Sequence, residues 1–349
     1  MSSFWNGKRV LVTGHTGFKG SWLSFWLKSL GADVAGMALP PNTNPALFNQ
    51  LGIETLADHM IGDIRDADLV VRRVAEVEPD VIFHLAAQAL VIESYETPLE
   101  TWQTNVMGSA HIMQAVRHLP GRCAVVMVTT DKVYENLEDG HPYNEHHPLG
   151  GHDPYSASKA AMEIAVSSWR RSFLGGTDIR VASARAGNVI GGGDWAANRI
   201  VPDIVRALTH GQQIEVRNPH AVRPWQHVLE PLAGYLTLAE RLWSSDDPAY
   251  QSAFNFGPDP KDTRPVGDLV TEALRHWPGH WTDVSPTAPV HEAGLLSLDP
   301  SKSETVLGVT PRWTFEEAIE KTISWYRAVA GGASATEVTE TQLSAFGAV

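Results

Sequence analysis

Apolar residues along this chain fall into two alternating patterns. Short β-branched runs read as strands: "RVLVTG" (9–14), "DVAGMAL" (33–39), "VIFHLAA" (81–87), "AVVMVTT" (124–130) and "IRVASAR" (179–185). Between them lie stretches with helical spacing: "KGSWLSFWLKSLG" (19–31), ended by Gly31, and the regions around 100–117 and 156–173. In the first helix Trp22, Leu23, Trp26 and Leu27 form a stripe that is most simply core. Strands alternating with helices imply right-handed crossovers and a mostly parallel sheet, so an α/β fold with a doubly wound sheet is expected.

Beyond about residue 189 the texture changes. Clusters of Gly and Pro ("GGGDW", "RNPHAVRPWQH", "GPDPKDTRP") interrupt shorter elements and predict a smaller mixed α/β C-terminal domain for substrate. The expected division is 1–189 plus about 227–256 for the nucleotide-binding domain and about 190–226 plus 257–330 for the substrate domain. Residues 335–349 read as a flexible tail.

The formal net charge of -13 and the lack of a Lys/Arg run make nucleic acid and anionic membrane poor partners, though a few local Arg residues suffice for a small anionic ligand. One cysteine, Cys123, excludes an intrachain disulfide or thiolate cluster and fits a reducing compartment. With no signal-peptide core and no apolar run of spanning length, a soluble cytoplasmic protein is expected. The fifteen His residues suggest no metal: "HPYNEHHP" (141–148) reads as a Pro-rich loop without helical ligand spacing.

Candidate chemistry sits at two places. "VLVTGHTGFKGSWL" sets Gly14, Gly17 and Gly20 between the first strand and its helix, where backbone N–H groups can approach a pyrophosphate. This makes the doubly wound sheet Rossmann-type and the cofactor a nicotinamide dinucleotide. The carboxylate that usually ends the second strand is replaced by Gly36-Met37-Ala38-Leu39-Pro40, and no Arg stands there for a 2′-phosphate. NAD is favoured, with NADP possible. Asp63 in "GDIRD" either meets the adenine edge or caps a turn. At the second place, "DPYSASKAAME" sets Tyr155 and Lys159 four apart on one helical face, where an ammonium can favour a phenolate and hold a ribose hydroxyl.

The segments "TGHTGFKG", "HLAAQ", "TTDKVY", "YSASK", "ARAGNVIGGGDW" and "RPWQHV" resemble the extended short-chain dehydrogenase/reductase family, and more narrowly its sugar-nucleotide 4,6-dehydratases, over residues 4 to about 325. The opening "FWNGKRVLVTGHTGFKGSWL" with "TTDKVYEN" is similar to the members of that branch that act on CDP-D-glucose. The resemblance implies that Gly14, Thr16, Gly17, Phe18 and Gly20 cradle the pyrophosphate. Asp63 and Ile64 would flank the adenine, and Leu85, Ala86 and Ala87 would line the ribose and phosphates. Thr130, Tyr155 and Lys159 would act at the sugar's 4-hydroxyl, with Lys159 tuning Tyr155. Asn188, Arg199 and Arg223 would grip the substrate. It implies C4 oxidation, water loss across C5–C6 and hydride return to C6, in deoxysugar synthesis for bacterial surface polysaccharide. It also implies a homodimer or homotetramer paired through the helices near 100–117 and 156–173.

One departure bears on mechanism. Similar dehydratases acting on dTDP-glucose carry Asp-Glu after the Thr, whereas this chain has Asp131-Lys132, keeping an acid and replacing the expected base by an amine. Lys132 is either the C5 base or an enolate stabiliser. Two other functions would use parts of the same set. A sugar-nucleotide 4-epimerase needs the glycines, Tyr155 and Lys159 but not Asp131-Lys132. A non-catalytic dinucleotide sensor needs neither Tyr155 nor Lys159.

Overall fold

The computed structural model describes residues 3–285 and 296–347. Seven parallel strands form one sheet: β1 (Arg9–Thr13), β2 (Asp33–Ala38), β3 (Asp58–Ile61), β4 (Val81–His84), β5 (Cys123–Val128), β6 (Ile179–Ala186) and β7 (Ala253–Phe256). Their spatial order is β7-β6-β5-β4-β1-β2-β3, so the winding reverses between β1 and β4. Such a reversal opens a crevice at the carboxyl ends of the two strands, the usual ligand position in an open α/β sheet. β3 was not legible in the sequence, because its "DHMI" is half polar and only partly buried.

The sheet's two faces carry separate cores. One packs the stripe Trp22, Leu23, Trp26 and Leu27 of α1 (Phe18–Ser29) against Val10, Val12 and Val126. The other packs Leu11, Ile82 and Val125 against α2 (Ala67–Val77), α3 (Ser109–Val116) and α4 (Pro154–Phe173). Alternate residues of β1 thus serve opposite faces, as strand geometry requires. The helix Leu229–Ser244, α5, joins the first core through Leu232, Leu236 and Leu242. The fold is therefore a Rossmann-type doubly wound parallel sheet.

The helical pattern near 100–117 is interrupted: Pro98–Trp102 passes into a π-helical turn, Gln103–Gly108, before α3. Asn105 in that turn is fully buried, linking Gln88 to Ser158 through its amide, and wide turns of this kind gather at functional sites.

Beyond β6 the chain forms short strand pairs, Val189–Ile190 with Gln226–His227, Ile214–Val216 with Trp281–Asp283 and Val222–Pro224 with Thr263–Pro265. The expected tail is corrected. Residues Ala335–Ala345 form a helix, α7, docked on α6 (Phe315–Ala330). Ser334 caps it, Trp325 Nε1 donates to Thr339, and Leu343 and Phe346 are buried. The docked face rests on few apolar residues, Ala335, Leu343 and Phe346, set among polar ones, which is why the linear reading missed it. Its last two positions, and residues 286–295 of the expected substrate domain, lie outside the described residues.

Candidate active site

The carboxyl edge of the sheet gathers residues from four segments. At the end of β1, Gly14 has φ +77°, and a Cβ there would lie 2.7 Å from the Ala86 backbone nitrogen. A Cβ on Gly20 would strike the Gly14 carbonyl oxygen. Gly17 caps α1 with no side-chain partner, so the first-turn amides keep their capacity for an anion. This glycine-shaped cradle at a helix start fits a dinucleotide pyrophosphate. Thr16 donates from Oγ1 to the Leu39 carbonyl oxygen at 2.8 Å, tying the loop to the end of β2. The ring of His15 lies across Gly36, leaving no room for a side chain there, and burial with neighbouring His59 pushes its pKa down to about 4.

Behind the loop, buried His84 joins Thr13 Oγ1 at 2.7 Å to Ser109 Oγ at 3.0 Å. Burial pushes its pKa down to about 3, so the imidazole is neutral and serves as a strut. Leu85, Ala86 and Ala87 follow directly, and the Ala86 N–H donates to Thr13 Oγ1. Ile64 is buried against Gly108. Asp63 accepts from the Arg65 backbone N–H at 2.9 Å and from its guanidinium at 2.6 and 2.8 Å. Arg65 therefore holds this carboxyl below its usual range, and the turn-capping alternative is the one the geometry displays.

At the end of β5, Thr130 is extended (φ -150°, ψ 161°) and opens a one-turn 3₁₀ helix, Asp131–Val133. Thr130 Oγ1 donates to Asp131 Oδ1 at 2.9 Å. Asp131 is 2% exposed, and its Oδ2 has no hydrogen-bond partner among the described residues. It faces Gly187, where a Cβ would come within 2.8 Å of it. A buried carboxyl oxygen without a partner is costly and marks a place where another group is received. Lys132 is only partly buried.

Tyr155 and Lys159 lie on the first turns of α4, which Asp153 caps and Pro154 starts. Burial pushes Tyr155 up to about 12. The Lys159 ammonium donates to the Val128 carbonyl oxygen at 3.2 Å. Burial first, then Lys19, pushes Lys159 down to about 7.

Lys19 escaped notice in the sequence, although it lies within the glycine motif. It interacts electrostatically with Asp131, Asp194 and Arg199, and burial followed by Arg199 pushes it down to about 8. Arg199 pairs with Asp194 at 2.8 Å and is 37% exposed. Arg223 is buried on the strand Val222–Pro224, with Nη1 donating to the Val222 carbonyl oxygen. Asn188 follows β6, and its carbonyl accepts from Gln226.

A family model described as GDP-mannose 4,6 dehydratase matches residues 11–246. The chain belongs to the GDP-mannose 4,6 dehydratase family. Within reach of that family, it is 45% identical to the CDP-glucose 4,6-dehydratase of Salmonella typhimurium, over 93% of this chain and 92% of that protein. It is 32% identical to a dTDP-glucose 4,6-dehydratase of Streptomyces antibioticus, over 91% of this chain and 92% of the relative. The fold of this family member superposes on a UDP-glucose-4-epimerase of Stenotrophomonas maltophila with a TM-score of 0.80 at 22% identity, covering 93% of this chain and 100% of that one.

Proposed function

We propose that the chain is a hydro-lyase converting CDP-D-glucose to CDP-4-dehydro-6-deoxy-D-glucose, acting in the cytoplasm on the route to deoxysugars of surface polysaccharide. The observation that carries this reading is the buried Asp131, bonded by Thr130 at 2.9 Å, with Lys132 next to it in the turn that ends β5. An epimerase needs a base at the 4-hydroxyl and has no use for a second acid–base pair at C5 and C6. The likeness to the Salmonella enzyme supports the same choice.

NAD held at the Gly14–Gly20 cradle would supply the hydride acceptor for C4 and the hydride donor for C6. The chain's residues do the rest. Gly14, Gly17 and Gly20 receive the pyrophosphate, and Lys159 holds a ribose hydroxyl. Thr130 orients the sugar's 4-hydroxyl and Tyr155 takes its proton. Arg199 and Arg223 hold the diphosphate, for which a planar bidentate guanidinium is suited. We assign the cofactor to residues 1–189 with about 227–256, and the sugar nucleotide to about 190–226 with 257–330.

Incubation with CDP-D-glucose followed by mass analysis of the sugar nucleotide tests the reaction. Loss of one water is expected; an unchanged mass with a new sugar would indicate epimerisation, and no reaction a sensor.

The cofactor preference rests on the end of β2, where Ala38 and half-exposed Leu39 offer neither carboxylate nor guanidinium. Titration of apo-protein should show NAD bound in preference to NADP, with imperfect selectivity. A clear preference for NADP would refute it.

We also assign self-association to the helices near 100–117 and 156–173, together with the turns 91–99 that lead into the first of them. They expose Tyr95, Leu99, Trp102, Met107 and Ile164, with Leu99 at 78%. Apolar residues gathered in this way mark an interaction face. Sedimentation at micromolar concentration should give a dimer or tetramer, and a monomer would remove the assignment.

A further inference from the structure

Directly below the catalytic turn lies a buried polar cluster that the reaction itself does not use. Glu163, one helical turn after Lys159 on α4, is 5% exposed, and Arg185 on β6 is 3% exposed. They form a bidentate pair, with Arg185 Nε at 2.9 Å from Oε1 and Nη2 at 3.0 Å from Oε2. Ser183 Oγ donates to Oε2 at 2.6 Å. The two remaining contacts reach past the pair. Thr129 Oγ1 donates to Glu163 Oε1 at 2.6 Å, and Arg185 Nη1 donates to the Tyr134 hydroxyl at 2.8 Å. That hydroxyl donates in turn to Asn255 Oδ1 on β7 at 2.6 Å.

Thr129 is the residue immediately before Thr130, and Tyr134 lies two residues after Lys132. One charge pair therefore grips the chain on both sides of the Thr130–Lys132 turn. A buried ion pair is weak evidence for stability, because desolvation offsets the attraction. A fully satisfied buried network does fix geometry. We propose that Glu163 and Arg185 are positioning residues, a brace that holds the catalytic turn at both ends through Thr129 and Tyr134. The inference rests on the reading of 130–132 as the catalytic turn. Glu163 also acts on Lys159 by charge, since its carboxylate favours the ammonium against the effect of burial.

Thr129→Val and Tyr134→Phe each remove one arm of the brace and leave both charges in place. In each, kcat for CDP-D-glucose should fall about 10- to 100-fold with KM little changed, the scale of a misplacement near 1 Å. Amide hydrogen exchange at residues 130–133 should accelerate, and this readout needs no substrate. Thr129→Ser should restore both, as a packing defect at that site would not. Glu163→Gln should additionally move the pH dependence of kcat downward through Lys159. If exchange at 130–133 is unchanged in both single-arm variants, the brace is refuted whatever the substrate. Undiminished kcat in both, with an active wild type, refutes it equally. A wild type that does not dehydrate CDP-D-glucose sinks the functional reading alone, and the exchange measurement still decides the brace.

Discussion

Tyr155→Phe should abolish turnover, lowering kcat by about 10²–10⁴-fold, the range that loss of a positioned general base produces. Cofactor binding should stay within a few-fold. The ring is 8% exposed at the start of α4, and phenylalanine keeps its packing while removing the one atom that can take the C4 hydroxyl proton. With its pKa pushed up to about 12, the phenol is protonated at neutral pH unless its surroundings favour the phenolate. The charge of Arg199 favours it. Removing Thr130's hydroxyl, which is proposed to orient the sugar's 4-hydroxyl, should lower kcat in the same direction. Lys159→Ala should damage turnover and cofactor binding together, because that ammonium is assigned to the ribose as well as to the cleft's charge balance. Steady-state kinetics with a parallel cofactor titration separates the two variants. Wild-type-like turnover in Tyr155→Phe would overturn the mechanism.

The parts of the site legible in the sequence are those fixed by local geometry. The glycines between β1 and α1 act within seven residues, and Tyr155 and Lys159 meet because a helix brings positions four apart together. The parallel sheet follows from strands alternating with helices. What escaped depends on strand order or on partners far along the chain. Glu163 meets Arg185 and Thr129 only because β5 and β6 lie side by side under α4. The Lys19 ammonium is favoured by Asp131, at the end of β5, and by Asp194, which arrives from the segment after β6. Asp63 shows the converse case. Its partner Arg65 is two residues away, so the turn that occupies its carboxylate was open to a local reading. The helix α7 was hidden because Thr, Glu and Ser surround the few residues that dock.

The largest effect beyond Tyr155 is expected at Asp131 and Lys132. Once C4 is oxidised, one group must take the C5 proton and another must protonate the departing C6 hydroxyl. Adjacent residues at a strand end can supply both, because their side chains diverge. The structure gives the two residues different surroundings. Asp131 is almost fully buried, with Oδ1 engaged by Thr130 and Oδ2 close to Gly187 with no hydrogen-bond partner among the described residues. A carboxyl in such a place can serve as an acid when burial or a bound diphosphate favours its protonated form. Lys132, partly buried in the same turn, is the amine we propose for C5. It acts as the base when neutral; when charged it stabilises the enolate while Asp131 or water moves the proton. Deuterium uptake from heavy water into C5 during partial turnover separates these roles. Asp131→Asn should keep exchange at C5 and lose elimination, since only the C6 step needs the acid. Lys132→Ala should lose both, because elimination cannot proceed before C5 gives up its proton. Exchange at the normal rate in Lys132→Ala would show that Lys132 is not the base and leave it the enolate role. Exchange lost in Asp131→Asn would make Asp131 the group that moves the C5 proton.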